Sequence, residues 1–305
     1  MADPPPPLSF DTDFRTDPGV AVAVQPGVVR VTAGNAGPYT FTGTNSFIVG
    51  TDSVAVLDPG PDDPAHRAAL LAAVGGRQVE AILLTHTHKD HSAGVKALRE
   101  ATGAPLWFAG PHRLSRAPHM LELNALAREC DWDLLPDRAL FDGERFGVGG
   151  VGLVAIATPG HCANHMCYGV DGTGWLLSGD HIMGWNSTLV AVPDGSMADY
   201  LASLEKIIAL PYLHYAPAHG GSIDDGPAYA RALLAHRQLR NRQIEEAVRS
   251  GATRVAQLLE KIYPALTGKL RRAAAFTLRA HIEYLAAQGT IRARRTPFGW
   301  RLSRP

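Results

Sequence analysis

The chain has 305 residues, 46% hydrophobic and 19% charged, and its formal net charge is zero. These values describe an ordinary soluble globular protein, and the length sets a prior near two domains. Three cysteines, Cys130, Cys162 and Cys167, form no CxxC pair, which argues against both a disulfide framework and a cysteine zinc site. The first residues, Met1 to Pro7, are acidic and proline-rich, with no basic region and no apolar core of a secretory signal. No apolar stretch reaches the roughly 18 residues of a membrane span. A reducing cytoplasm is the expected compartment, with no membrane partner.

Read in chain order, residues 27–32 form a short β run, as do 46–49 and 53–58. Pro61 to Val74 is helical in character, with Asp62 and Asp63 near its start and Gly75-Gly76 closing it. The apolar run 79–84 predicts a strand, Ala93 to Ala101 a helix and Pro105 to Ala109 another strand. Further strands are predicted over 151–157, 174–177 and 213–215. Alternation of this kind indicates an α/β protein with helices covering sheets.

Three of these strands and the run 79–84 end in residues that bind metals. Thr85-His86-Thr87-His88-Lys89-Asp90-His91 packs three imidazoles and a carboxylate into one turn. Nitrogen and oxygen ligands so arranged suit a borderline divalent ion, above all zinc. Four donors so close in sequence cannot all reach one ion with good geometry, so the spacing predicts two adjacent metals. More ligands should follow later strands, and Pro159-Gly160-His161, Ser178-Gly179-Asp180 and Ala218-His219-Gly220 each do.

THTHKDH followed in order by PGH, SGD and AHG resembles the metallo-β-lactamase superfamily. The resemblance implies an αββα sandwich with a dinuclear site between its halves. Carried over, His86, His88 and His161 would hold the first of two Zn2+ ions. Asp90, His91 and His219 would hold the second, and Asp180 would bridge both. Asp90 and Asp180 are then the catalytic carboxylates, around a metal-bridging hydroxide. His165 and His181, close to ligands in sequence, are expected to orient them. So is Asp58, which ends a strand before Pro59-Gly60. Lys89 would steer an anion, and Gly43, Thr44 and Asn45 should pass near the site.

Beyond residue 227 the pattern changes. Ala228 to Arg249 predicts a long amphipathic helix ended by Gly251. Thr253 to Tyr263 predicts a second, capped by Thr253. Leu270 to Gln288 predicts a third, stopped by Gly289. Residues 290–302 then alternate around Pro297-Phe298-Gly299 like a hairpin. Three helices and a hairpin are the winged-helix arrangement. The expected domains are therefore a flexible N-terminal segment (1–20), a catalytic domain (21–227) and a winged-helix-like domain (228–305). Together with residues 37–50 and the His236, Arg237, Arg240, Gln243 pattern, this resembles the β-lactamase-like protein 2 branch of the superfamily. In and near that branch the activities are single-stranded RNA cleavage and acyl-carrier-protein thioester hydrolysis.

The neutral total hides a division of charge. Residues 231–305 carry 16 Lys and Arg against 4 Asp and Glu, whereas residues 1–230 carry 13 against 25. Such asymmetry hints at an anionic partner, although solvated helix faces would account for it equally. Single-stranded RNA is therefore the favoured substrate. The alternative is a thioester or ester hydrolase, of acyl-thioesterase or glyoxalase II type, with the winged helix as a lid or in a homodimer. A nucleic-acid or protein adaptor without activity is the third reading. The observation separating the first two is a continuous cationic track from the C-terminal domain to the metals.

Overall fold

The computed structural model describes residues 8–120, 122–296 and 299–305. Its first half holds β1 (Ala21–Gln25), β2 (Val28–Thr32), β3 (Asn45–Val49), β4 (Ser53–Leu57), α1 (Pro64–Val74), β5 (Gln78–Leu83), α2 (Lys89–Ser92), α3 (Val95–Thr102), β6 (Leu106–Phe108) and β7 (Arg138–Ala139). These strands pair in chain order into one seven-stranded sheet. The second sheet uses β8 (Arg145–Val148), β9 (Val151–Ala157), β10 (Met166–Val170), β11 (Trp175–Gly179) and β12 (His214–Pro217), in the order β12-β11-β10-β9-β8. Helix α4 (Met197–Ile208) separates β11 from β12.

Period-two alternation divides each strand between two layers. Phe47 and Val49 of β3, Ala55 and Leu57 of β4, and Ala81 and Leu83 of β5 meet Leu153 and Ala155 of β9 and Met166, Tyr168 and Val170 of β10 in a core between the sheets. The intervening residues Ile48, Val54, Val56 and Ile82 face outward and pack on Leu70 and Val74 of α1 and Val95 and Leu98 of α3. On the other side Val154, Ile156, Cys167 and Leu176 pack on Tyr200, Leu204 and Ile207 of α4. Helix layer, sheet, sheet, helix layer is the expected αββα sandwich. Each fully buried Leu or Phe in these layers is worth about 1.5–3 kcal/mol.

The C-terminal part comprises α5 (Gly226–Arg249), α6 (Val255–Ile262), α7 (Gly268–Ala287) and an antiparallel ribbon of β13 (Arg292–Thr296) and β14 (Gly299–Ser303). Helices fall where the sequence places them. The expected Pro297-Phe298 turn lies outside the described residues, as do residues 1–7 of the N-terminal segment. One cap differs: α6 starts after Arg254, and the Gln257 side chain accepts from the backbone N–H of both Thr253 and Arg254. Thr253 is therefore not the cap, because Gln257 reaches back to take that role. Ile244, Leu258, Leu278, Ile282 and Leu302 give this part its own core. Ala230 and Leu233 of α5 and Ala280 of α7 join the outer core around Tyr200, so the C-terminal helices also cover the second sheet. Leu8 and Phe10 pack against the same layer.

Candidate metal centre

Strand β5 ends at Leu83, and the ligand turn folds back on the end of β4 through Asp58. The Asp58 carboxylate accepts from the Thr85 backbone N–H at 2.7 Å, the Thr85 hydroxyl at 2.7 Å and His91 Nδ1–H at 3.0 Å. To do so Asp58 adopts φ 51°, a left-handed conformation uncommon outside glycine and concentrated at functional sites. Asp58 thus has the orienting role expected of it.

The ligand-type residues gather into two groups. In the first, His88 Nδ1 lies 3.0 Å from His86 Nε2 and 2.9 Å from His161 Nε2. Nitrogens sharing one tetrahedral zinc sit about 3.3 Å apart, from bonds of about 2.0–2.1 Å. In the second, Asp90 Oδ2 lies 3.6 Å from His91 Nε2 and 3.3 Å from His219 Nε2. Asp180 faces both: Oδ1 is 3.3 Å from His219 Nε2 and 3.6 Å from His91 Nε2, while Oδ2 is 3.6 Å from His161 Nε2. All seven residues singled out in the sequence therefore meet at the ends of β5, β9, β11 and β12.

Buried polar atoms require partners. Among the described residues, His91 Nε2, His219 Nε2 and Asp180 Oδ1 are buried with no well-directed hydrogen bond. All three point into the space between the groups. Every imidazole uses its remaining nitrogen elsewhere. His86 Nδ1–H donates to Thr85 Oγ1 (3.0 Å), His88 Nε2–H to Asp194 Oδ2 (2.9 Å), His161 Nδ1–H to the Leu189 carbonyl (2.7 Å) and His219 Nδ1–H to the Gly43 carbonyl (3.2 Å). In the neutral ring this fixes each tautomer so that a lone pair faces inward, the arrangement expected of metal-ligating histidines. The donor set fits divalent metal, and these His and Asp groups are poised to bind it.

Electrostatics agree. Burial, reinforced by neighbouring imidazoles, holds His86 well below its ordinary value and His161 at about 4, so both stay neutral. Burial also opposes charge on His91 and His219, but Asp90 and Asp180 outweigh it, lifting His91 well above the ordinary value and His219 to about 9. The carboxylates of Asp90 and Asp180 are held low against burial, by His91 and His219. A divalent cation bound by these carboxylates and imidazoles would replace the protons on His91 and His219.

Asp194 is the residue the sequence reading missed. Its other oxygen accepts from His112 Nε2–H at 2.8 Å, and His112 Nδ1 in turn lies 2.9 Å from the Thr87 hydroxyl. His165 accepts from the Asp180 backbone N–H at 3.0 Å, as an orienting residue should, whereas among the described residues neither His181 nitrogen has a well-directed hydrogen bond to a ligand. Lys89 donates to the Arg128 carbonyl. Asn45 ties the second sheet's ligand loop in place through the Pro217 and Gly220 carbonyls. Cys130 approaches Asp194, and burial and that carboxylate push its thiol up. Gly160, before His161, has no alternative: a Cβ there would lie 2.4 Å from Tyr200 Cα.

Comparison with known proteins agrees with this geometry. Residues 39–219 match the family model described as Metallo-beta-lactamase superfamily. The chain is 31% identical over 256 residues to the Lactamase-like protein vrtG of Penicillium aethiopicum, covering 82% of this chain and 76% of that one. It is 29% identical over 258 residues to an Atrochrysone carboxyl ACP thioesterase of Aspergillus fumigatus, covering 79% and 74%. A metallo-beta-lactamase family protein of Thermus thermophilus superposes with TM-score 0.74 at 27% identity, covering 93% of this chain and all of that one.

Proposed function

The chain belongs to the metallo-beta-lactamase superfamily, and from that premise we propose that it is a di-zinc hydrolase of acyl thioesters, with a carrier-bound acyl group as substrate. The observation that carries the two-metal reading is Asp180, whose oxygens address separate groups of ligand atoms. His86, His88 and His161 would hold one ion, Asp90, His91 and His219 the other, and Asp180 both. Two zinc ions would supply an acidified water near neutral pH and Lewis acidity toward the acyl carbonyl and the leaving sulfur. The chain's own part is positioning. Asp58, Asp194 and the Leu189 and Gly43 carbonyls fix the imidazoles, and Asp90, 31% exposed at its side chain and so the most accessible of the site's carboxylates, orients the attacking water from the open side.

Thioester replaces RNA as the favoured substrate. The named thioesterase relative supports it, and so does the fate of three arginines of the C-terminal part. Arg237 is buried, donating to the Thr188 carbonyl beneath Tyr200. Arg240 lies over Tyr263 and bonds Gln243, and Arg295 pairs with Glu122 at 2.7 Å. Arg237 is spent inside the protein, and Arg240 and Arg295 are held by side chains of the chain itself, so these three do not lead to the ligands. Kinship with the β-lactamase-like protein 2 branch and a winged-helix identity for the C-terminal part fit the three helices followed by a ribbon. The test is hydrolysis of S-acyl pantetheine thioesters, followed by release of thiol, beside a labelled single-stranded RNA. Thioester turnover that requires metal supports the proposal; RNA cleavage without thioester turnover overturns it.

A further inference from the structure

The C-terminal ribbon presents cations that the fold does not use. In β13 and β14, Arg294 stands directly opposite Arg301, and Arg292 opposite Ser303. Like charges facing each other across an antiparallel pair destabilise it. Alternation puts Arg292, Arg294 and Arg301 on one exposed face, with Ala293 and the buried Leu302 on the other. Among the described residues none of these three guanidinium groups makes a hydrogen bond or ion pair. The inner-face Arg295 behaves differently, since it covers Trp300 and pairs with Glu122. The outer three therefore form an uncompensated positive surface that something anionic should meet.

The surface connects to the metal centre. Glu122, which holds the ribbon through Arg295, also binds Arg116, and Arg116 binds Glu283 of α7. The same segment continues to Glu129, whose carbonyl accepts from the Lys89 N–H, and to Asp131, whose N–H donates to the Thr87 carbonyl. It thus runs from the ribbon to the ligand turn. Beside Glu122, Met120 and Leu123 are 92% and 87% exposed. Exposed apolar side chains next to arginine are the composition of a protein interface. Base stacking by a single strand uses aromatic rings, and on the ribbon itself the ring of Trp300 is covered by Arg295.

Resting on the thioester reading, we infer that the outer ribbon face of Arg292, Arg294 and Arg301, with Met120 and Leu123 beside its anchor, docks an acidic carrier protein that brings the acyl thioester to the metal centre. Charge complementarity selects the partner and speeds its encounter. The bridging segment 122–131 lies between the docking face and the ligands, so the tethered thioester would be delivered across it.

The test is direct binding, independent of turnover. A labelled holo acyl carrier protein of strongly negative net charge is titrated with the metal-loaded full chain, followed by fluorescence anisotropy. The expected result is binding that weakens at least about tenfold between about 50 and about 300 mM salt, as Debye screening shortens. The variant R292A/R294A/R301A should weaken it by about tenfold at low salt. The single variant Arg301→Glu covers the case in which the triple variant misfolds. It turns the Arg294 pair into an attractive one, so weaker binding there reflects docking and not stability. No carrier binding, binding indifferent to salt and to both variants, or tighter binding of a single-stranded RNA oligomer by the same arginines overturns the inference. Failure to hydrolyse free S-acyl pantetheine would sink the thioester reading instead, so the two failures are told apart.

Discussion

His88 and Asp194 meet at 2.9 Å although 106 residues separate them in the chain. The contact is fully internal, and Asp194 is shared with His112. A carboxylate behind a ligating imidazole fixes the ring and raises its basicity, and removing such a partner lowers metal affinity or activity about 10–100-fold. Asp194→Ala is therefore expected to weaken retention of the ion at His86, His88 and His161 by about that factor. Competition with a chromophoric chelator measures it, and unchanged metal affinity in the folded variant would remove Asp194 from the centre.

Asp180 should matter more than any single imidazole. Its oxygens approach both groups, and Oδ1 is buried between His91 and His219. Wild-type protein reconstituted with zinc should hold two ions per chain by elemental analysis. Asp180→Ala should lose more than about tenfold in kcat/KM, a barrier increase above about 1.4 kcal/mol. One ion per wild-type chain, or turnover within tenfold of the parent, would refute the bridging assignment.

Much of this centre is legible in sequence because its ligands are dense and each group follows a strand. THTHKDH cannot be read as a solvated surface, and Gly160 before His161 is set by the approach of Tyr200. Asp194 is not legible. It sits in Pro193-Asp194-Gly195, which reads as a turn, and nothing local connects it to His88. The strand β10 is hidden for a related reason: Gly169 interrupts its apolar pattern, because a Cβ there would strike the Tyr212 hydroxyl. Helix α4 does carry a signal, an amphipathic run behind Ser196, whose side chain accepts from the Asp199 N–H. Ligand spacing does not point to it, since that run ends in no metal-binding residue. Composition counts arginines without revealing that Arg237 is buried and that Arg240 and Arg295 pair with side chains of the chain itself, while Arg292, Arg294 and Arg301 stay exposed.

Acid stability offers a test away from the metals. Burial holds His66 down to about 4 from its ordinary 6.5, with Asp63 partly opposing, while its Nε2 lies 2.8 Å from the Ser46 hydroxyl. The unfolded chain binds this proton at higher pH than the folded one. Stability from the neutral ring is thus fully present above pH 6.5 and is lost as pH falls toward 4, by at most about 3 kcal/mol. Metal-free His66→Gln should show a shallower decline of urea midpoint across pH 6.5 to 4 than metal-free wild type. Parallel curves would show that His66 stays neutral in both states.

The last expectation concerns α5 and its buried cation. Arg237 is 2% exposed, has no carboxylate partner among the described residues, and donates to the Thr188 carbonyl while lying over the Tyr200 ring. Thr188 Oγ1 donates to the Asp180 carbonyl at 2.7 Å, and the next residue's carbonyl holds His161. The C-terminal helix therefore grips the loop between two ligands. Arg237→Met keeps the apolar stem but leaves the Thr188 carbonyl unpaired, a loss of about 1–3 kcal/mol for a buried acceptor. If the grip also sets ligand geometry, the variant should release metal to chelator faster than wild type at temperatures well below its unfolding midpoint. Arg237→Lys should restore part of that retention by donating to the same carbonyl. A variant that melts earlier yet holds metal as wild type does would confine Arg237 to packing, and would make the C-terminal helices a cover for the second sheet rather than a part of the metal centre.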